Sequence, residues 1–131
     1  MIILDTHVWV WFVSNSELLS QKAKKSLDIA MEEKNILISS ISAWEVALLV
    51  SRKRLKLTMD TEDWIAKSEM LPFLRFIPVD NSVAVKAMNL PEPLHNDPAD
   101  RIIIATAISQ GASLITKDEK ILNYPHVKAL W

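Results

Sequence analysis

The chain has 131 residues and no cysteine, which excludes disulfides, thiolate metal sites and cysteine nucleophiles. It has a single glycine, so the glycine-rich phosphate loops of nucleotide-binding proteins are excluded as well. The formal net charge of −1 differs from the basic balance that is usual for nucleic-acid-binding proteins. No apolar run approaches the roughly 18 residues of a membrane span, and the N-terminus lacks a basic leader. We therefore expect one cytoplasmic domain over residues 1–131.

Hydrophobic periodicity and helix-boundary residues divide the chain into alternating strands and helices. Ser20 is a typical helix cap, Asp97-Pro98 a typical helix start and Gly111 a typical helix end. Pro78 cannot donate a ladder hydrogen bond, so its strand is expected at a sheet edge. The predicted elements are strand 2–5, helices 8–12 and 21–34, strand 36–39, helices 43–51 and 61–71, strand 76–79, helices 81–90 and 98–110, strand 113–116 and a short strand 127–130. This alternation predicts a three-layer α/β/α fold with a central parallel sheet of four to five strands.

Four carboxylates each lie beside an apolar run. Asp5 and Asp118 follow the first and fourth predicted strands, Glu45 follows the second through a run of serines, and Asp100 opens a long apolar helix. Ligand sites of open parallel sheets lie outside the carboxyl ends of the strands, so we expect the acids to converge there. Clustered carboxylates raise one another's pKa unless a hard cation such as Mg2+ or Mn2+ neutralises them. The pattern therefore predicts an acidic metal site.

Helix capping is the alternative explanation for each acid taken alone. The candidates for capping are Asp5, Asp118, and the capping-box pairs Ser42–Glu45 and Asp97–Asp100. Capping does not explain why four acids would converge on one sheet edge, and we therefore favour the metal site. Asp97 is the exception, because capping accounts for it fully. We expect Asp97 beside the metal ligands rather than among them.

Threonine and histidine side chains also lie near the acids in sequence. Thr6 and Thr116 are candidates for hydrogen bonds to a carboxylate or to a metal-bound water, with no role as the alternative. The three histidines lack the i, i+4 spacing of a helical zinc pair. We expect His7 to pack against neighbouring residues, and His95 and His126 to lie in loops. The histidines therefore point to no separate mechanism.

A basic cluster of Arg52, Lys53 and Arg54 follows the helix that carries Glu45. Arg52 lies seven residues after Glu45 and shares its face, so the cluster is a candidate phosphate-binding rim. The alternative is a solvated helix end, where cations suit the helix dipole. Aromatic side chains are also close to the acids in sequence and predict an apolar surface beside the site: Trp9, Trp11, Phe12 and Trp44.

These residue types suit hydrolysis of a phosphodiester, because carboxylates that hold one or two divalent ions activate water without a protein nucleophile. Phosphoryl transfer through an aspartyl-phosphate is a second hypothesis. This mechanism usually requires an acid two residues after the nucleophile, where this chain has His7. Lys117 gives the hypothesis weak support, because the mechanism also uses a lysine after a later strand. A non-catalytic binding module is a third hypothesis, and the complete set of acids counts against it.

Four segments of the chain form a recognisable set. They are Leu4-Asp5-Thr6-His7, Ser42-Ala43-Trp44-Glu45, His95-Asn96-Asp97-Pro98-Ala99-Asp100-Arg101 with Ile104-Ala105, and Thr116-Lys117-Asp118. Through these segments the chain resembles the PIN-domain ribonucleases and, among them, the VapC-type toxins of bacterial toxin–antitoxin pairs. The resemblance covers essentially the whole chain, and the segment from His95 to Arg101 is its most specific part.

The resemblance implies a single PIN domain with the first strand central in the sheet. It implies that Asp5, Glu45, Asp100 and Asp118 are the catalytic carboxylates and ligate Mg2+ or Mn2+. The implied activity is metal-dependent endoribonuclease cleavage of RNA, with a cognate antitoxin as partner and a homodimer as the usual assembly. Two alternatives stay open: a PIN-domain nuclease in RNA processing without a toxin role, and a non-catalytic binding module with this fold.

Overall fold

Five parallel strands form one sheet at the centre of the computed structural model, which describes residues 1–131. The strands are β1 (Ile2–Leu4), β2 (Ile36–Ser39), β3 (Leu74–Ile77), β4 (Ser113–Ile115) and β5 (Ala129–Leu130). Their order is β3-β2-β1-β4-β5, and every pairing is parallel. Strand β1 is therefore central, and its apolar residues are all buried, as expected for a parallel strand covered on both faces.

Helices connect the strands and cover both faces of the sheet. They are α1 (Thr6–Ser14), α2 (Gln21–Glu32), α3 (Ser40–Ser51), α4 (Thr61–Glu69), α5 (Asn81–Met88), α6 (Pro98–Gln110) and α7 (Glu119–Leu122), with a 3-10 turn at Ser16–Leu18. None of them combines the length and the apolar character needed to cross a bilayer. The three-layer α/β/α prediction is confirmed.

Two buried clusters fill the space between the layers. Successive strand residues point to opposite faces, so Ile2 and Leu4 join one cluster while Ile3 joins the other. The first cluster takes its buried apolar side chains from α1, α2, α3 and α4. The second takes them from α5, α6 and α7. This division places α1 and α6 on opposite faces, with the carboxyl end of β1 between them.

Several boundaries differ from the predictions for physical reasons. Helix α3 begins three residues early because Ser39 is its N-cap, with the hydroxyl accepting a backbone N–H at 3.3 Å. The capping-box assignment of Ser42 and Glu45 is therefore wrong, since both lie within the helix. Strand β3 ends at Ile77, before Pro78 can interrupt its ladder, and lies at the sheet edge as predicted.

Trp9 belongs to the core rather than to a surface. It is fully buried and packs against Trp64 and Phe76, with ring centroids 4.7 and 5.4 Å away. Its indole N–H donates to the Ser68 hydroxyl at 3.1 Å, which satisfies the polar atom that burial would otherwise leave unpaired. The expectation that Trp9 adds to an aromatic surface is wrong.

Candidate active site

One open cavity of about 430 Å3 lies at the carboxyl end of the sheet, and the predicted acids line it. Its walls include Asp5, Glu45, Asp97, Asp100 and Asp118. Asp5 is the one-residue link between β1 and α1, and Asp118 follows β4. Glu45 projects from α3, and Asp100 from the first turn of α6. The structure therefore brings the four proposed ligands together from four separate parts of the chain.

Asp5 is held by two hydrogen bonds to different oxygens. Its Oδ1 accepts the backbone N–H of Thr6 at 2.8 Å, which makes Asp5 the N-cap of α1. Its Oδ2 accepts the Thr116 hydroxyl at 2.7 Å. Burial nevertheless raises the pKa of Asp5, and the charge of Asp118 raises it further. Capping and membership of the acidic cluster are thus both properties of this side chain.

Glu45 is held by the side chain of Thr6, the residue that follows Asp5. The Thr6 hydroxyl hydrogen-bonds with Oε1 of Glu45 and with the Ser42 hydroxyl, the latter at 2.9 Å. A hydroxyl has one proton, so Thr6 donates to the ionised carboxylate and accepts from Ser42. Burial raises the pKa of Glu45 to about 7, with the charges of Asp5 and Asp100 adding to the effect. Thr6 and Thr116 each hydrogen-bond a carboxylate, which favours this candidate role over the alternative of no role.

Asp100 and Asp118 approach each other on the α6 side of the cavity, together with His95, which the sequence analysis placed in a loop and did not propose as a site residue. The ligand atoms of Asp100, Asp118 and His95 lie within 4.8 Å of one another. His95 Nε2 is 2.7 Å from Oδ2 of Asp100. Burial raises the pKa of Asp100 to about 6, although its hydrogen bond to His95 acts in the opposite direction. In the sequence, His95 lies five residues before Asp100, just ahead of the capped start of α6. That proximity could have indicated a contact between the two side chains.

Asp97 lies at the rim of the cavity and is exposed. Its Oδ1 accepts the backbone N–H of Asp100 at 3.0 Å, so the prediction that Asp97 caps α6 is confirmed. The cap also orients the first turn of α6, from which Asp100 projects. Asp97 therefore supports the position of Asp100 through the helix cap.

The remaining candidates divide between the cavity and its surroundings. His7 lines the cavity and is exposed, and its ring centroid lies 5.9 Å from that of Trp11, so it packs at the surface rather than in the core. Arg52, Lys53 and Arg54 are exposed at the end of α3 and are absent from the cavity wall. The cationic side chain in the wall is Lys117, whose Nζ lies 5.9 Å from the ring centroid of Trp11. The sequence had not assigned Lys117 to RNA binding.

The composition of the cavity fits a hard divalent cation. Three of the four predicted acids have pKa values raised by burial, so their ionised forms lack sufficient solvation in the metal-free protein. Carboxylate oxygens are the donors that Mg2+ and Mn2+ prefer. No thiolate is available, and the one imidazole of the cluster already contacts a carboxylate. The residues present therefore match an oxygen-coordinated ion.

The PIN domain family model matches residues 2–127. The chain is also 33% identical over 125 residues to the ribonuclease VapC22 of Mycobacterium tuberculosis, which covers 95% of this chain and 92% of that relative. The chain belongs to the PIN-domain family. Two solved structures share the PIN fold with this chain: VapBC2 from Rickettsia felis bound to a DNA fragment from its promoter, and FitAcB from Neisseria gonorrhoeae. Their TM-scores are 0.73 and 0.70, at 20% and 23% identity, covering 99% and 100% of this chain and 98% and 97% of theirs.

The raised pKa values predict how the stability of the metal-free PIN domain depends on pH. The unfolded chain loses the protons of Glu45 and Asp100 near pH 4, whereas the folded chain holds them to about pH 7 and about pH 6. The unfolded state therefore binds fewer protons across this window, and raising the pH lowers the free energy of unfolding. We expect Glu45→Gln to remove part of this loss, as measured by chemical denaturation of EDTA-treated protein between about pH 4 and pH 7.

A second measurement adds Mn2+ to the same proteins. The cation should compete with protons for the same carboxylate oxygens. The increase in melting temperature on addition of millimolar Mn2+ should be larger near pH 7.5 than near pH 5. Glu119→Gln, at an exposed carboxylate in α7, is the matched control and should leave both responses unchanged. If the free energy of unfolding depended on pH equally in the parent and Glu45→Gln proteins, the raised pKa of Glu45 would be contradicted.

Proposed function

We propose that this chain is a metal-dependent endoribonuclease and the toxin of a toxin–antitoxin pair. The observation that carries the proposal is the convergence of Asp5, Glu45, Asp100 and Asp118 on one cavity of a PIN domain. A relative at 33% identity is named a ribonuclease. A structure that shares the fold is described as a toxin–antitoxin complex from Klebsiella pneumoniae. RNA is accordingly the proposed substrate, a cognate antitoxin the proposed partner and the cytoplasm the proposed location.

The four carboxylates would hold Mg2+ or Mn2+. When bound, such an ion supplies the Lewis acidity that activates water and stabilises charge on the phosphodiester oxygens. The contribution of the chain is to fix the acids before the ion arrives. Thr116 and the Thr6 backbone hold Asp5, while the Thr6 hydroxyl holds Glu45. Side chains locked in this way keep their geometry during the reaction, which is what a metal-assisted hydrolase requires.

The competing enzyme class receives less support from the same geometry. An aspartyl-phosphate mechanism would use an Asp5 oxygen as the nucleophile, and the hydrogen bonds that both oxygens accept from the protein reduce the nucleophilicity of this carboxylate. It also needs a second acid two residues later, and His7 occupies that position at the cavity wall. Asp5 is therefore better suited to holding a cation than to forming a covalent bond.

The first test of this proposal distinguishes the proposed metal ligand of α6, Asp100, from the residue that caps this helix, Asp97. Asp100→Asn and Asp5→Asn should each lower RNA cleavage on the order of a hundredfold or more, because each removes a charge from the centre of the site. Asn still caps α1 through its side-chain oxygen, so Asp5→Asn should remain folded. Asp97→Asn should retain most of the activity for the same reason.

Initial cleavage rates on a synthetic RNA pool, with melting temperatures as the folding control, measure these three variants. An essential Asp97 together with a dispensable Asp100 would reverse the assignment of the third ligand. Loss of activity that follows loss of folding would say nothing about ligands, and this is why conservative amide substitutions are used.

The second prediction concerns the basic cluster Arg52–Arg54. Replacing Arg52 and Arg54 with Gln and Lys53 with Asn should weaken RNA binding and reduce the slope of log affinity against log salt, by about 0.7 for each phosphate that the variant no longer neutralises. Asn is chosen for Lys53 because that residue has φ of 56°, a left-handed conformation that Asn tolerates. Metal binding should be unchanged.

The matched control replaces Lys22, Lys24 and Lys25 of α2 with Gln, which removes the same charge from residues that do not line the cavity. A Lys117→Gln variant tests the cation that does line the cavity. Affinities measured across a salt series distinguish the outcomes. Equal slopes for the two triple variants would assign residues 52–54 to a solvated helix end.

The third prediction concerns an apolar groove of about 710 Å3 beside the acidic cavity. Val13, Leu18, Leu55 and Leu57 line it, and Trp11 lines both the groove and the acidic cavity. Lys56 and Lys67 also line the groove. We therefore propose that an amphipathic antitoxin helix with acidic flanking residues lies in the groove, and that a basic side chain continues past Trp11 to the carboxylates.

Expressed alone, the chain should slow growth, and the antitoxin encoded beside it should restore growth and co-purify. Val13→Glu with Leu18→Glu should abolish rescue while cleavage by the purified protein persists. Ile29→Glu with Val85→Glu, also at exposed apolar positions, is the control and should leave rescue intact. Harmless expression of an active nuclease would refute the toxin role but not the nuclease. Light scattering on the complex tests the homodimer that the family resemblance implies.

A further inference from the structure

His95 contacts Asp100 in a way that determines which atom of the imidazole ring carries a proton. The distance from Nε2 to Oδ2 of Asp100 is 2.7 Å, and both side chains are mostly buried, at 19% and 16% exposure. The other ring nitrogen, Nδ1, is buried and has no hydrogen-bond partner. The ring therefore has one polar atom paired with a carboxylate and one with no partner.

These two observations select one tautomer. An ionised carboxylate can only accept a hydrogen bond, so Nε2 must be the donor. A buried N–H without a partner costs more than a bare lone pair with none, so Nδ1 is unprotonated in the neutral ring. A protonated Nε2 cannot ligate a cation, and the buried Nδ1 faces away from Asp100. His95 therefore contributes no ligand atom, although it lies within 4.8 Å of two carboxylates.

Arg101 fixes the position of His95. It is buried, and its Nη1 donates to the backbone carbonyls of Leu94 and His95 at 3.3 and 3.2 Å. Its Nε donates to the carbonyl of Ala87 at 3.0 Å, at the carboxyl-terminal end of α5. The planar guanidinium thus joins the end of α5 to the loop that carries His95, a geometry that a lysine cannot reproduce.

An ordinary surface ion pair does not account for Arg101. The carboxylate of Glu92 lies 3.4 Å from its Nη2, but that side chain is 66% exposed, and exposed ion pairs contribute little. The closest partners are backbone carbonyls. Arg101 directly follows Asp100 in α6. One turn of this helix therefore carries both Asp100 and the arginine that holds His95 against it.

We propose that His95 is a positioning residue for the metal site: its Nε2–H holds Oδ2 of Asp100, and Arg101 holds His95. The inference rests on the proposed function, since it assigns Asp100 as a cation ligand. Oδ1 of Asp100 accepts no hydrogen bond from the protein and is the oxygen left for the ion. Carboxylate ligands held by a hydrogen-bond donor in this way bind metal more tightly than free ones.

Two amide substitutions separate positioning from packing. The side-chain nitrogen of Gln occupies the position of Nε2 along the side chain, whereas that of Asn corresponds to Nδ1. We therefore expect His95→Gln to keep the Mn2+ affinity of the parent protein and His95→Asn to lower it by about tenfold to a hundredfold. Calorimetric titration of the folded proteins with Mn2+ measures this without any cleavage reaction.

His126→Gln and His126→Asn are the matched controls, because His126 is exposed, makes an edge-to-face contact with Tyr124 and is not part of the acidic cavity wall. Both should bind Mn2+ like the parent protein. Arg101→Lys should lower Mn2+ affinity, and adding His95→Asn to it should lower the affinity little further, since both changes release the same carboxylate. Additive losses would overturn the proposed chain of contacts.

Nitrogen-15 NMR of the unaltered, metal-free protein supplies a test that needs no variant. Nε2 of His95 should give the resonance of a protonated ring nitrogen, and in the neutral ring Nδ1 should give that of an unprotonated one. The opposite tautomer would overturn the proposal. So would equal Mn2+ affinities for His95→Asn and the parent protein, or equal losses in His95→Asn and His95→Gln. Failure of the parent protein itself to bind Mn2+ would instead overturn the proposed metal site.

Discussion

Repulsion among partly buried carboxylates is the constraint on which this edge of the structure depends. Burial raises the pKa of Asp5, Glu45 and Asp100, and each charge opposes the others. A chain selected for stability alone would place apolar or neutral residues there. The fold keeps the acids because β1 is central and α1 starts one residue after it, which leaves Asp5 at the middle of the carboxyl edge. A cation that prefers oxygen ligands would relieve the repulsion.

Capping and metal binding, posed as alternatives for each acid, turn out to be compatible. Asp5, Asp97 and Asp118 are the N-caps of α1, α6 and α7, whose amino-terminal ends all face the acidic cavity. The partial positive charge of a helix amino terminus stabilises a carboxylate. The helix ends thus reduce the cost of concentrating acids before a cation binds. Glu45 lacks this support and depends on the Thr6 hydroxyl instead.

The donors around the acids form a rigid support that comes from distant parts of the chain. Thr116 reaches Asp5 across 111 residues of sequence, and Thr6 reaches Glu45 across 39. Arg101 holds the loop from which His95 contacts Asp100. Asp5, Glu45 and Asp100 therefore each have a donor that restricts the rotamer, and this restriction is what distinguishes a prepared metal site from a group of surface carboxylates.

The sequence by itself determined the alternation of strands and helices, the edge position of the strand next to Pro78 and the acids at the strand ends. These features follow from local periodicity and from residues with fixed backbone preferences. Only the tertiary structure decided that His95 contacts Asp100, that Ser42 supports Thr6, that Trp9 is core and that Lys117 lines the cavity in place of Arg52. The physical reason is that side-chain direction and contacts between distant segments depend on how helices pack on the sheet, and local periodicity does not encode that packing.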